Sequence, residues 1–113
     1  MDFYLNKKGD NMATNYDYLI ELANLATGLT LKGIHFEFKT LYDGGIIIVF
    51  DKAGNRVWDA ICHSGSYGSH GHKIPYGYKN PLLEIMGDIV NKELSCGDEV
   101  EGWLTAKDIL ERL

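Results

Sequence analysis

The chain has 113 residues, 45% of them hydrophobic and 24% charged, with a formal charge of -5 from 11 basic and 16 acidic side chains. That length suits one core, and the composition is that of a globular domain rather than a disordered or fibrous chain. The acidic balance, with arginine only at Arg56 and Arg112, argues against a nucleic-acid binder, which normally carries a basic, arginine-rich stripe. No apolar run approaches the roughly 20 residues a membrane helix needs.

Residues 1–13 read as a frayed lead-in, in which residues 2–5 are a candidate edge strand and Met12 stands as an alternative start. The lead-in lacks the apolar centre of a secretion signal. The expected location is therefore the cytoplasm, with Cys62 and Cys96 as reduced thiols.

Thr14-Asn15-Tyr16-Asp17 fits the Ser/Thr-x-x-acid pattern that satisfies the first amides of a helix. Leu19, Ile20, Leu22, Ala23 and Ala26 supply an apolar stripe, and Gly28 fits a left-handed stop, which predicts a helix over 15–27. Ile34, Phe36 and Phe38 then alternate with His35, Glu37 and Lys39, the period of a strand over 34–41. Asp43-Gly44-Gly45 is a turn signal. The β-branched run 46–50 predicts a central strand covered on both faces. A turn at 51–55 leads to a third strand over 57–62. There Trp58, Ala60 and Cys62 share one face, and Val57, Asp59 and Ile61 share the other.

Further on, Asn80 and Pro81 look like the cap and first position of a second helix. Leu82, Ile85, Met86, Ile89, Val90 and Leu94 would form its apolar side, with Gly97 past its end. Residues 98–102 read as an acidic loop. Glu93, Asp98, Glu99, Glu101, Asp108 and Glu111 read as a solvated face. Thr105 and Asp108 repeat the capping pattern, and Leu104 with Ile109 can form a hydrophobic staple, so a last helix is expected over 106–112. The expected fold is a single α+β domain over 14–113, in the order α-β-β-β-α-α, with a three-stranded antiparallel sheet packed against helices. The strands at 34–41 and 57–62 would be its edges, available for pairing across a homodimer unless Lys39 or Arg56 prevents it.

The chemistry-bearing stretch is CHSGSYGSHGHKIPYGYK, residues 62–79. His70 and His72 with His63 offer imidazole ligands for zinc, but a fourth ligand would have to come from His35 or Cys96. Gly65, Gly68 and Gly71, interleaved with Ser64, Ser66 and Ser69, could cradle a small phosphorylated ligand such as a signalling nucleotide, with Tyr67, Tyr76 or Tyr78 stacking on its base. Cys62 and His63 are neighbours and would point to opposite faces of a strand, so Cys62 reads more simply as a small core residue than as a nucleophile. Tyr, Ser and Gly together are also the composition of protein-binding surfaces. On that reading Tyr67, Tyr76 and Tyr78 are the anchors and His63, His70 and His72 supply hydrogen bonds. Nothing in the stretch forms a catalytic constellation, and no cofactor is expected.

The segments VWDAICHSGSYG, PLLEIMG and VEGWLTAKDIL, within residues 34–113, resemble small accessory proteins encoded by phages and prophages of Gram-positive bacteria. The resemblance implies a protein that binds and blocks a host defence component, and the acidity is similar to that of inhibitors of CRISPR effector nucleases. That class has no assigned catalytic residues, so no residue role transfers. The expectation is a non-catalytic inhibitor with a host protein as partner, acting through the 62–79 loop. Sequestration of a small anionic ligand and a zinc enzyme are the alternatives. Direct contact with nucleic acid or membrane is not expected.

Overall fold

The computed structural model describes residues 15–70, 80–95 and 99–113. The lead-in, the Thr14 cap and Gly97 lie outside them. Helix α1 spans Asn15–Leu31. Strands β1 (Phe36–Leu41), β2 (Gly44–Phe50) and β3 (Arg56–Cys62) follow, then β4 (Leu83–Gly87), a 3-10 turn at Lys92–Leu94, β5 (Val100–Leu104) and helix α2 (Ala106–Leu110). The five strands form one antiparallel meander in chain order. The α+β class expected from the sequence holds, with a larger sheet than expected.

Helix α1 runs past Gly28, and the residue that stops it is Gly33, at φ +70. Gly33 N–H bonds to Thr30 O and Ile34 N–H to Leu29 O, both at 3.0 Å. This is the paired closure that a left-handed glycine permits. Gly28 serves packing instead. A Cβ there would lie 2.3 Å from Leu110 Cδ1, so the missing side chain lets α2 sit against α1. The hairpin between β1 and β2 likewise turns at Tyr42-Asp43, one step before the expected glycines, with Tyr42 at φ 53. Gly44 already pairs with Leu41, and a Cβ on it would collide with the Cys62 carbonyl.

The expected second helix is instead strand β4. Leu83 and Ile85 point into the core, while Glu84 and Met86 point away. Its residues fit both a helical and a strand period, and the free edge of β3 supplies backbone partners for the strand. Gly87, at φ +117, ends it with its Cα hydrogens against Val57 O and Trp58, a conformation a helix interior excludes. Residues 100–102 of the expected acidic loop form β5 together with Trp103 and Leu104. The strand at 57–62 is therefore central, bonded to β2 and β4, and the edges are β1 and β5.

The core lies on one face of the sheet. Tyr18, Leu22, Leu25 and Leu29 of α1 pack on Ile47, Val49, Trp58, Ala60, Cys62 and Ile85, and α2 adds Ala106 and Ile109. Each large aliphatic side chain buried this way contributes about 1.5–3 kcal/mol. On the other face Ile46, Ile48, Phe50, Val57 and Ile61 are only half-buried, so β2 is not covered on both sides as its composition suggested. The α2 cap is the expected one. Thr105 accepts from Asp108 N–H, Asp108 accepts from Thr105 N–H, and both Leu104 and Ile109 are in the core.

Two carboxylates expected nowhere in the core are buried there. Glu21 on α1 is 1% exposed and accepts hydrogen bonds from Ala106 N–H (2.7 Å), Asn24 Nδ2 (2.8 Å) and Asn80 Nδ2 (3.3 Å). Glu101, read from sequence as part of a solvated face, is equally buried. Arg112 grips both its oxygens, at 2.7 and 2.6 Å, and Asn91 N–H donates to Oε1 at 2.9 Å. Arg112 also donates to Ile89 O, which ties the chain end to the β4–β5 connection. The Arg112 hydrogen bonds hold the Glu101 carboxyl below its ordinary value, against the opposing effect of burial, with Asn91 N–H adding to the depression. Glu101 therefore stabilises the fold above the unfolded glutamate value of about 4.3, and that contribution is lost as pH falls through the lower folded value. Arg112→Ala, which strands a buried carboxylate, is expected to cost about 2–3 kcal/mol in urea unfolding at pH 7. In Glu101→Gln the loss of stability between about pH 5 and pH 3 should be smaller than in the unchanged protein.

Candidate functional site

The chain folds back on itself as soon as it leaves β3. Ser66 N–H bonds to His63 O (3.0 Å) and Ser69 N–H to Ser66 O (3.3 Å), two tight turns in succession. The serine hydroxyls reinforce them. Ser66 Oγ donates to His63 O (2.8 Å) and accepts from His63 N–H (3.0 Å). Ser69 Oγ donates to Ser66 O (2.9 Å), with Ser64 O at 3.3 Å as a second acceptor. His70 Nε2 also bonds to Ser64 O. Both Ser66 and Ser69 are buried.

Several of the amides expected to cradle an anion are already bonded within the protein. Ser64 N–H donates to Asp43 Oδ1 (2.9 Å), Gly65 N–H to His63 Nδ1 (3.0 Å) and Tyr67 N–H to Glu84 Oε1 (2.8 Å). Two of those acceptors are carboxylates, from a turn 21 residues earlier and a strand 17 residues later. A phosphate would have to displace them and then sit beside their charge. Hydrogen bonds from Ser64, backbone first, hold the Asp43 carboxyl below its ordinary value, with His63 adding a smaller electrostatic effect.

Among the described residues the candidate metal ligands form no metal site. The Nδ1 of His63 is occupied by the Gly65 amide. His35 stacks on Phe50 at the far end of the sheet. Among the described residues no three His, Cys, Asp or Glu side chains form a group that could hold a metal ion. Gly71, His72, Tyr76 and Tyr78, and the candidate ligand Cys96, lie outside the described residues. Cys62 is a free thiol in the core, as its alternation with Trp58 and Ala60 suggested, and its Sγ donates to Leu82 O at 3.5 Å. Burial pushes the thiol up to about 12, with the charges of Glu21 and Asp43 adding to the rise. A nucleophile requires the opposite shift.

What the loop presents outward is aromatic. Tyr67 is 46% exposed and stacks on Trp103 of β5, with ring centroids 5.6 Å apart and 24° between planes. The loop is clamped to β5 around this stack. Tyr67 O accepts from Trp103 N–H at 3.4 Å, and Gly68 O accepts from Leu82 N–H at 3.0 Å. A Cβ on Gly102 would come within 2.4 Å of Tyr67 Cβ, so that glycine makes room for the ring's stem. Gly65, Ser66, Tyr67, Gly68, His70 and Trp103 line a hollow of about 220 Å³. On the loop's other flank Tyr42, 84% exposed, meets the His63 ring edge-on with centroids 5.0 Å apart.

Tyr42, Trp103, Asp43 and Glu84 were not read from the sequence as parts of this site. The hairpin signal at Asp43-Gly44-Gly45 marked the neighbourhood of Tyr42 and Asp43. Nothing local marked Trp103 or Glu84, although Trp103 faces Tyr67. Both Tyr42 (φ 53) and Trp103 (φ 58) occupy the left-handed backbone region, uncommon for bulky residues. Among the described residues no helix is long and apolar enough to cross a membrane. Compared with protein-family models, curated proteins and solved structures, the chain matches none of them.

The state of Cys62 has a direct check. In a Cys96→Ser background, iodoacetamide at pH 8 should leave Cys62 unmodified in the native protein and alkylate it fully in urea. Because the folded value lies above the unfolded one, stability should also fall as pH rises from about 9 toward 12, an effect that Cys62→Ala reduces, with the raised Tyr18 hydroxyl supplying part of the remainder.

Proposed function

We propose that the chain is a non-catalytic binding protein that occupies a surface of a host protein, using the ordered part of the 62–79 loop and the aromatic groups beside it. One observation carries this reading. Two exposed or half-exposed aromatic residues, Tyr42 and Trp103, are held at positive φ on either flank of the loop, with Tyr67 between them. Strained backbone of that kind costs of order 1–3 kcal/mol per residue and tends to persist where a side chain must be presented in a fixed direction. Rigid aromatics are the residues in which interfaces concentrate their energy. Tyr42 thus joins Tyr67 as an anchor. His70 lies within the described part of the proposed surface, and Tyr76, Tyr78 and His72 extend it beyond the described residues.

Internal use of the loop's amides and serine hydroxyls favours protein recognition over sequestration of a phosphorylated ligand, which would need those donors. The resemblance to phage accessory proteins gives the partner a class, a host defence protein such as a CRISPR effector, and gives the action as steric blocking.

The test places a photo-crosslinking amino acid at position 67, with position 52 at the opposite end of the sheet as control, in a Gram-positive host. One defined host protein should crosslink from position 67 and not from position 52. Tyr42→Ala combined with Tyr67→Ala should weaken its binding at least about tenfold while lowering the melting temperature only modestly, through loss of the Tyr67–Trp103 and Tyr42–His63 ring contacts. Undiminished binding by the double variant would remove the loop as the contact.

A further inference from the structure

Helix α1 is apolar on two opposite sides. One side, Tyr18, Leu22, Leu25 and Leu29, enters the core. On the other, Tyr16, Ile20, Ala23 and Thr27 repeat the same spacing two residues earlier, and Leu31 extends the line. All five are exposed, Tyr16 and Leu31 to 83%. None carries a charge, although 24% of the chain is charged. The only charged residues of α1 are Asp17 and Glu21, and Glu21 is buried beneath α2. A solvent-facing helix side normally carries the polar and charged residues. The open face of the sheet differs in this respect, since Glu37, Lys39, Asp59 and Glu84 interrupt its aliphatic residues.

The threonine hydroxyls along this side are already satisfied. Thr27 Oγ1 donates to Ala23 O (3.0 Å), and the neighbouring Thr30 Oγ1 donates to Ala26 O (2.8 Å). Both turn back on the helix, so drying this side strands neither of them.

We infer that the stripe is the contact between two copies of this chain, packed with their α1 helices antiparallel about a two-fold axis near Ala23. The sequence of the stripe is self-complementary in that arrangement. Tyr16 faces Leu31 of the second copy, Ile20 faces Thr27, and the two Ala23 residues meet near the axis, where small side chains let the backbones approach. Away from the axis the larger Tyr16 and Ile20 thus oppose the smaller Leu31 and Thr27, and each of those contacts occurs twice, as an isologous interface requires. The groove of about 790 Å³ between α1 and α2, lined in part by Asn24, Lys32, Leu110 and Leu113, adjoins the stripe and adds apolar area beside it. Along a helix of 17 residues, about 25 Å, such a pair buries on the order of 800 Å² in total, short of the roughly 1,200 Å² of stable interfaces. The dimer is therefore weak and reversible, and the surface around Tyr42 and Tyr67 is left to a different partner.

Sedimentation equilibrium from about 10 μM to about 1 mM tests this on the full chain. The average mass should climb from 12.7 kDa toward twice that value. Ala23→Glu, which sets two carboxylates near the axis at an exposed position, should shift the dimerisation midpoint at least tenfold while leaving the melting temperature of the dilute protein unchanged. In a Cys96→Ser background, Ala23→Cys should oxidise to a covalent dimer and Lys52→Cys should not. A mass that stays at 12.7 kDa throughout overturns the proposal. So does a dimer that survives Ala23→Glu, which would place the contact elsewhere, such as the β1 edge. A melting temperature that drops in dilute Ala23→Glu overturns it as well, because the stripe would then be covered by the chain's own residues.

Discussion

The carboxylate of Glu21 joins three distant parts of the chain. It rises from α1 into the space between the helices, accepts the Ala106 amide at the start of α2, and is steadied by Asn24 and by Asn80. A carboxyl group in a dry site is costly unless its oxygens are hydrogen-bonded, so all these groups must be in place together. Asn80 stands just before β4 and re-enters the described structure beside the same carboxylate. Ala106 fixes where α2 begins, and with it the register in which Leu110 slides against Gly28. The second buried carboxylate, Glu101, is held by the partly exposed Arg112, which fastens the last residues to β5 and the preceding turn.

Much of this architecture was legible from spacing. The first helix, the three strands from 36 to 62 and the capped C-terminal helix follow from local patterns, because each carries a cap, a turn signal or an unambiguous period. β4 did not. Leu82, Ile85, Met86, Ile89 and Val90 suit a helix as well as Leu83 and Ile85 suit a strand. The tie was broken by the unpaired edge of β3 and by the left-handed Gly87, neither visible in the segment itself. Glu101 likewise looked like one charge among several until the fold brought Arg112 to it.

The loop after β3 was legible in composition and not in use. Its glycines and serines suggested an anion cradle or a protein-binding surface. Two of the acceptors that occupy its amides come from Asp43 and Glu84, far away in sequence, and no local pattern reports them. Trp103 escaped for the same reason, since its partner Tyr67 lies 36 positions earlier in the numbering. Conversely, the outward stripe of α1 was visible from the start as Ile20 and Ala23, but it was counted with the core. Only the observed orientation divides the apolar residues of that helix between two sides.

The meander order of the sheet has a kinetic consequence. Every strand bonds to its neighbour in the chain, so most of the sheet forms from contacts of short or moderate sequence separation, the kind associated with fast folding. The bond from Ala106 to Glu21 is different, because it closes a span of 85 residues. The entropic penalty of loop closure grows with the length enclosed, so α2 docks late, onto a sheet and first helix already assembled. The C-terminal clasp is then the last part to lock and the first to open, a latch whose release leaves the meander in place.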